Sequence, residues 1–149
     1  MTFKPVIIVG FLCVFANALT AQVEKKVYQT LALSDTTEQI NFNFPDNCEV
    51  ISWKQEGKIM IETVVSMEIN SKEVVNSLVQ CGRYTIVADD NPSTFVKTLK
   101  FAAVRPTIKN VKGEAIKEKV TLRVYLPEGF SFGDSVACKS ESEVLVAKQ

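Results

Sequence analysis

Three consecutive oxygen-bearing side chains, Asp89, Asp90 and Asn91, make the most polar stretch of this sequence. Oxygens in a loop can hold a hard cation or hydrogen-bond a small ligand. Calcium takes about six to eight oxygens at defined positions, and no D-x-D-x-D spacing extends these three. The stretch is therefore read as an exposed loop that can contact a ligand, and no metal is assigned to it. Trp53, the only tryptophan, is the second candidate. Its ring offers a stacking surface for a sugar or peptide. In a mid-strand apolar context, however, an indole more often forms partly buried core with its N–H bonded. Tyr84, Tyr125 and Arg123 are read in the same way, because exposed strand faces routinely carry such residues.

Other chemistries lack their parts. The sequence contains no histidine, so no Ser-His-Asp triad, Cys-His pair or histidine metal site can be built. Its six glycines are spread singly, which leaves no phosphate-cradling loop and no dinucleotide fingerprint. The 17 acidic residues allow many formal carboxylate pairs of the kind glycosidases set across a cleft. Nearly all fall in predicted turns or on exposed strand faces, where solvated charge is the ordinary role. The expectation is a protein that is not an enzyme and carries no cofactor.

The N-terminus reads as an export signal: Lys4, an apolar run over residues 6–15, then small-residue sites ending at Ala18 and Ala21. Leu12 precedes Cys13, where a lipoprotein signal needs a small residue. The apolar run is too short to span a bilayer, which takes about 20 residues, and no second run follows. Removing residues 1–21 leaves 128 residues with 16 basic and 17 acidic side chains, the size of a single domain. A near-neutral surface gives no basic patch for nucleic acid and no reason to bind anionic membrane. An apolar fraction of 46% suits a globular core. Without Cys13, the residues Cys48, Cys81 and Cys138 allow at most one internal disulfide in three possible pairings. Cys48 and Cys81 are expected to be small buried hydrophobes, and Cys138, in a polar stretch, an exposed thiol.

The elements that would position the candidates are strands. In residues 37–70, Ile40, Phe42 and Phe44 alternate with asparagines, Pro45-Asp46-Asn47 and Glu56-Gly57 make turns, and β-forming runs follow each turn. This stretch is read as a three-stranded meander around which an all-β domain is organised. Residues 23–33 precede it as an edge or terminal strand, with Lys25 and Lys26 discouraging edge pairing. A single short helix near residues 71–81 follows, with Asn70 as N-cap, Glu73 completing a capping box, and Val74, Val75, Leu78 and Cys81 as its apolar stripe before Gly82. Further strands are expected at residues 83–88, 94–104, 119–126 and 143–147, with shorter apolar pieces at 130–132 and 136–138. In the clearest of these, Val120, Leu122, Val124 and Leu126 face one way and Thr121, Arg123 and Tyr125 the other.

Several segments together resemble a known family. They are FPDNCEVISW from Phe44 to Trp53, GKIMIE from Gly57, LVQCGRYTI from Leu78, and EKVTLRVYLPEG from Glu118. They are similar to segments of short exported Bacteroidetes proteins related to adhesin-like, head-domain β proteins. The resemblance implies an all-β domain of stacked sheets or a short solenoid in the cell envelope, with a binding or structural role and no assigned activity. The glycine-rich repeats of longer members are missing from this sequence. The expected function is therefore an exported, non-enzymatic β domain with a protein or glycan partner in the envelope. The alternative is a small-ligand or carbohydrate-binding module using Trp53 or Asp89–Asn91.

Overall fold

Alternating apolar and polar residues can bury one face of a strand while wetting the other, and this chain does so repeatedly. The computed structural model describes residues 21–91, 93, 95–131 and 144–148. Strands β1 (Val23–Ala32), β2 (Gln39–Asn43), β3 (Asn47–Trp53) and β4 (Lys58–Met67) come first. One helix, α1 (Lys72–Gln80), follows. The chain continues with β5 (Ile86–Asn91), β6 (Val96–Phe101), β7 (Glu118–Pro127), β8 (Phe130–Ser131) and β9 (Val144–Lys148). The predicted leader, residue 132, residues 136–138 and Cys138 lie outside the described residues.

The strands form two mixed sheets, ordered β1-β4-β7-β3 and β5-β6-β2-β9-β8. Their inner faces stack on one apolar cluster. Ile40, Phe42, Ile86 and Leu99 of the second sheet and Ile59, Ile61, Leu122, Val124 and Leu126 of the first are each no more than 4% exposed. At roughly 1.5–3 kcal/mol for each fully buried large aliphatic or aromatic side chain, this cluster is the main favourable term in folding. The expectation of stacked sheets with one short helix holds, and the solenoid alternative does not describe this arrangement. As predicted, β1 is an edge strand, and the two faces of β7 are divided between core and surface as its alternation indicates.

The meander is not formed. β2 belongs to the second sheet, and β3 and β4 are separated within the first by β7. β3 pairs with β7 in parallel, and β2 pairs with β6 in parallel. The turn at Pro45-Asp46 does redirect the chain, but it carries it across from one sheet to the other. Phe44 and Cys48, on either side of that turn, are buried in the same core. A turn signal states that the chain changes direction, and it does not specify that the flanking strands pair.

The helix also differs in detail. Its N-cap is Ser71, not Asn70. The Ser71 hydroxyl accepts from the Val74 N–H at 3.4 Å and donates to Glu73 at 2.8 Å. The stripe that docks is Val75, Leu78 and Val79 against Val65, Met67 and Val120. Val74 is 41% exposed, and Cys81 is exposed rather than buried. At about 100° per residue Cys81, the C-cap just past the last helical residue, lies more than a quarter turn from the centre of the Val75-Leu78-Val79 stripe and so faces away from the sheet. Gly82, at φ +77, ends the helix in a left-handed conformation.

The long excursion of residues 102–117 is fixed at both ends by arginines. Arg83 donates from Nε and Nη2 to Glu118 at 3.0 and 2.7 Å and from Nη2 to the Pro106 carbonyl at 2.7 Å. The Tyr84 hydroxyl donates to the same Glu118 at 2.5 Å. Burial works against the Glu118 charge, but the bonds from Arg83 and Tyr84 outweigh it and hold the carboxyl below its ordinary pKa. Arg105 pairs with Asp46 and lies 4.2 Å over the Phe101 ring.

Candidate functional site

The sequence-predicted residues do not come together. Trp53 ends β3 at one edge of the first sheet, whereas Asp89, Asp90 and Asn91 lie on β5 at an edge of the second. The expected loop at 89–91 is a strand end, in register with Thr98, Lys97 and Val96 of β6. Period-2 geometry sends Asp89 and Asp90 to opposite faces, and each meets its own lysine: Asp89 meets Lys100, and Asp90 meets Lys97 at 2.5 Å. The facing lysines are what allow so polar a segment to be a strand. Among the described residues no group of histidine, cysteine, aspartate and glutamate is arranged to hold a metal ion.

Trp53 belongs to the outer face of the first sheet. Its ring packs against Tyr125 at 6.1 Å with the planes 48° apart. It is half-buried, which matches the partly buried reading. Its Nε1–H, however, is buried without a hydrogen-bond partner, so the bonded N–H expected of a core indole is not found. One register row crosses all four strands of this face: Tyr28, Glu62, Arg123 and Glu49. Glu62 stands at the centre of that row and is only 5% exposed.

Two cations and a hydroxyl converge on Glu62. Lys26 Nζ and Arg123 Nη1 lie 3.3 and 3.7 Å from its Oε1, and the Tyr125 hydroxyl donates to Oε2 at 3.4 Å. Oε1 has cations at ion-pair range but no partner in hydrogen-bond geometry. Its attraction to them is therefore Coulombic. The contact with the Glu62 carboxylate raises the Lys26 pKa above the ordinary value. Burial, and then Glu62, raise that of Tyr125. Arg123 also reaches Glu49 through Nε at 3.2 Å, so one guanidinium neutralises two carboxylates. Both the second sheet and α1 lie against the opposite side of this sheet. The outer face thus presents Tyr28, 59% exposed, beside Tyr125 and Trp53.

Two of the surface cavities gather polar side chains from several turns or strand ends. One of about 250 Å³ brings Asp35, Glu56 and Glu128 together from three turns at the end of the sandwich, all of them exposed. The other, of about 220 Å³, lies beside Asp90 and Asn91 and is also lined by Ser34, Thr36, Thr37 and Phe95. Sequence reasoning missed Glu62 and Phe95, and it read residues 34–36 as a turn without giving that turn a part in a site. The signal for Glu62 was available: a lone carboxylate inside the apolar run from Ile59 to Met67 has to meet a cation across the sheet.

No protein-family model, no curated protein and no solved structure matches the chain.

Proposed function

We propose that this chain is an exported, non-enzymatic β-sandwich domain of the cell envelope that works by binding, with the outer face of the first sheet as its contact surface for a protein partner. The observation that carries the reading is the Tyr28–Glu62–Arg123–Glu49 row, together with Tyr125 and Trp53, on the side of the sheet away from the core. Tyrosine, tryptophan, methionine and arginine are the residues enriched in the buried centres of protein interfaces, and Met60 adds the methionine in register with Tyr125. The cross-strand ion pairs hold these side chains in place before a partner arrives, which reduces the ordering entropy of association. A binding role suits Glu49 and Glu62 better than catalysis does, because both are committed to Arg123. Among the described residues no helix is long and apolar enough to cross a membrane.

The test compares the exported form, residues 22–149, with Tyr28→Ala and Tyr125→Ala variants of unchanged circular dichroism, in binding to envelope fractions of the native cell. Saturable binding by the wild type that drops tenfold or more in both variants supports the reading. Equal binding by all three removes this face, and no binding by the wild type removes the binding role.

A further inference from the structure

We infer that the cavity between the 34–37 turn and the end of β5 is a binding site for one neutral monosaccharide unit. It lies on the other sheet from the proposed contact face, so either assignment can fail without the other.

The first observation is Phe95, whose φ of +54 is the one left-handed non-glycine conformation among the described residues. Such strain concentrates where a side chain must be held for a purpose. It is locked here by the Phe95 carbonyl, which accepts from the Glu38 and Gln39 N–H groups at 2.9 and 3.3 Å. The ring that results is not in the core but 46% exposed, at the cavity wall.

The second observation is the way the polar groups are fixed. Lys97 is only 4% exposed, and its register partner Ile40 is wholly buried, so it stands on the core side of its sheet. It reaches out to hold Asp90 Oδ1 at 2.5 Å, which orients the carboxylate and leaves Oδ2 as an acceptor. Asn91 Oδ1 accepts from the Ser93 N–H at 3.1 Å, which leaves the carboxamide NH2 as a donor. The Ser34 and Thr36 hydroxyls, 2.8 Å apart, can each donate or accept.

An oriented acceptor, an oriented donor, a hydroxyl pair and one aromatic surface suit a ligand with vicinal hydroxyls and an apolar C–H face. The Asp90–Lys97 pair is neutral overall, so it offers no net charge to attract an ionic ligand. A volume of about 220 Å³ lies below the ~300–1,000 Å³ of sites for drug-sized molecules and suits a single ring rather than a chain. Asp89 and Trp53 have no part in the site.

The experiment titrates the exported form with the methyl glycosides of glucose, galactose, mannose, fucose and N-acetylglucosamine, followed by amide chemical shifts and calorimetry. At least one sugar should bind saturably and move the amides of residues 34–37, Asp90, Asn91, Phe95 and Val96. Asn91→Ala should weaken it tenfold or more, and Asp89→Asn should leave it unchanged. Phe95→Gly separates binding from folding: it relieves the left-handed strain, so the melting temperature should hold or rise while binding is lost. The inference is overturned if none of the five sugars binds, if Asn91→Ala or Phe95→Gly binds like the wild type, or if Trp53→Ala is the variant that loses binding.

Discussion

The carboxamide of Gln29 on β1 occupies both backbone polar groups of Ile86 on β5, the edge strand of the opposite sheet. It accepts the Ile86 N–H at 3.0 Å and donates to the Ile86 carbonyl at 3.5 Å. An amide side chain thus takes the place of a neighbouring strand and ties the two sheets together along one side. Ile86 is 1% exposed, so water does not readily replace the bond.

Replacing Gln29 with leucine keeps most of the volume and orphans that N–H. A buried unpaired donor costs about 1–3 kcal/mol, and urea unfolding should show a loss of that size with an unchanged slope. Gln29→Glu retains the acceptor and should lose less of the Ile86 amide's protection from hydrogen exchange than Gln29→Leu. Equal stability of wild type and Gln29→Leu would show that the bond does not form in solution.

Thr63 offers the opposite case. It is 0% exposed on the inner face of β4, and its hydroxyl has no partner. Thr63→Val has nearly the same shape and removes the unsatisfied group, so it should stabilise the protein by about 1–2 kcal/mol. A melting temperature that falls in this variant would mean that the hydroxyl is bonded after all.

Acid sensitivity should trace to Glu118. Its folded-state pKa lies below the ordinary 4.5, so its contribution is complete above that pH and is lost as the pH falls through the lower folded value. Glu118→Gln should be less stable than the wild type at pH 7, and the difference should shrink as the pH drops. Asp46 acts in the other direction. Burial raises its pKa despite Arg105, so its ionisation opposes folding, and Asp46→Asn should leave the acid limb no shallower. Melting curves between pH 7 and pH 3 distinguish the two.

Trp53 can be divided into ring and N–H. Trp53→Phe keeps a ring against Tyr125 and removes the unpaired donor, and it should stay within about 0.5 kcal/mol of the wild type or exceed it. Trp53→Ala should lose about 1–3 kcal/mol of packing. If both variants lose the same amount in chemical denaturation, the indole N–H is bonded.

Much of this was legible residue by residue. The alternation from Val120 to Leu126 encodes a strand with one buried face, and the structure places those side chains inward without exception. Asp89-Asp90-Asn91 was misread because solvated polarity is the ordinary signature of a loop. The lysines that neutralise the two aspartates sit on β6 and become visible only once β5 and β6 are in register. Cys81 was misplaced because the docked stripe centres on Val75, Leu78 and Val79 and the cysteine caps the helix outside it, and Phe95 gave no signal, because a left-handed φ on a phenylalanine has no counterpart in composition or spacing.

For the described residues, the sequence by itself determined the strand content, the single helix and which face of most strands turns inward. These are local properties: side-chain period and turn chemistry act over a few residues. The tertiary structure decided which strands are neighbours. It put β7 between β3 and β4, sent β2 to the other sheet, and set Glu62 among Lys26, Arg123 and Tyr125. Alternation states which face a residue occupies but not which strand lies beside it. Parallel pairs such as β3–β7 join segments that only the packing of the whole chain brings together.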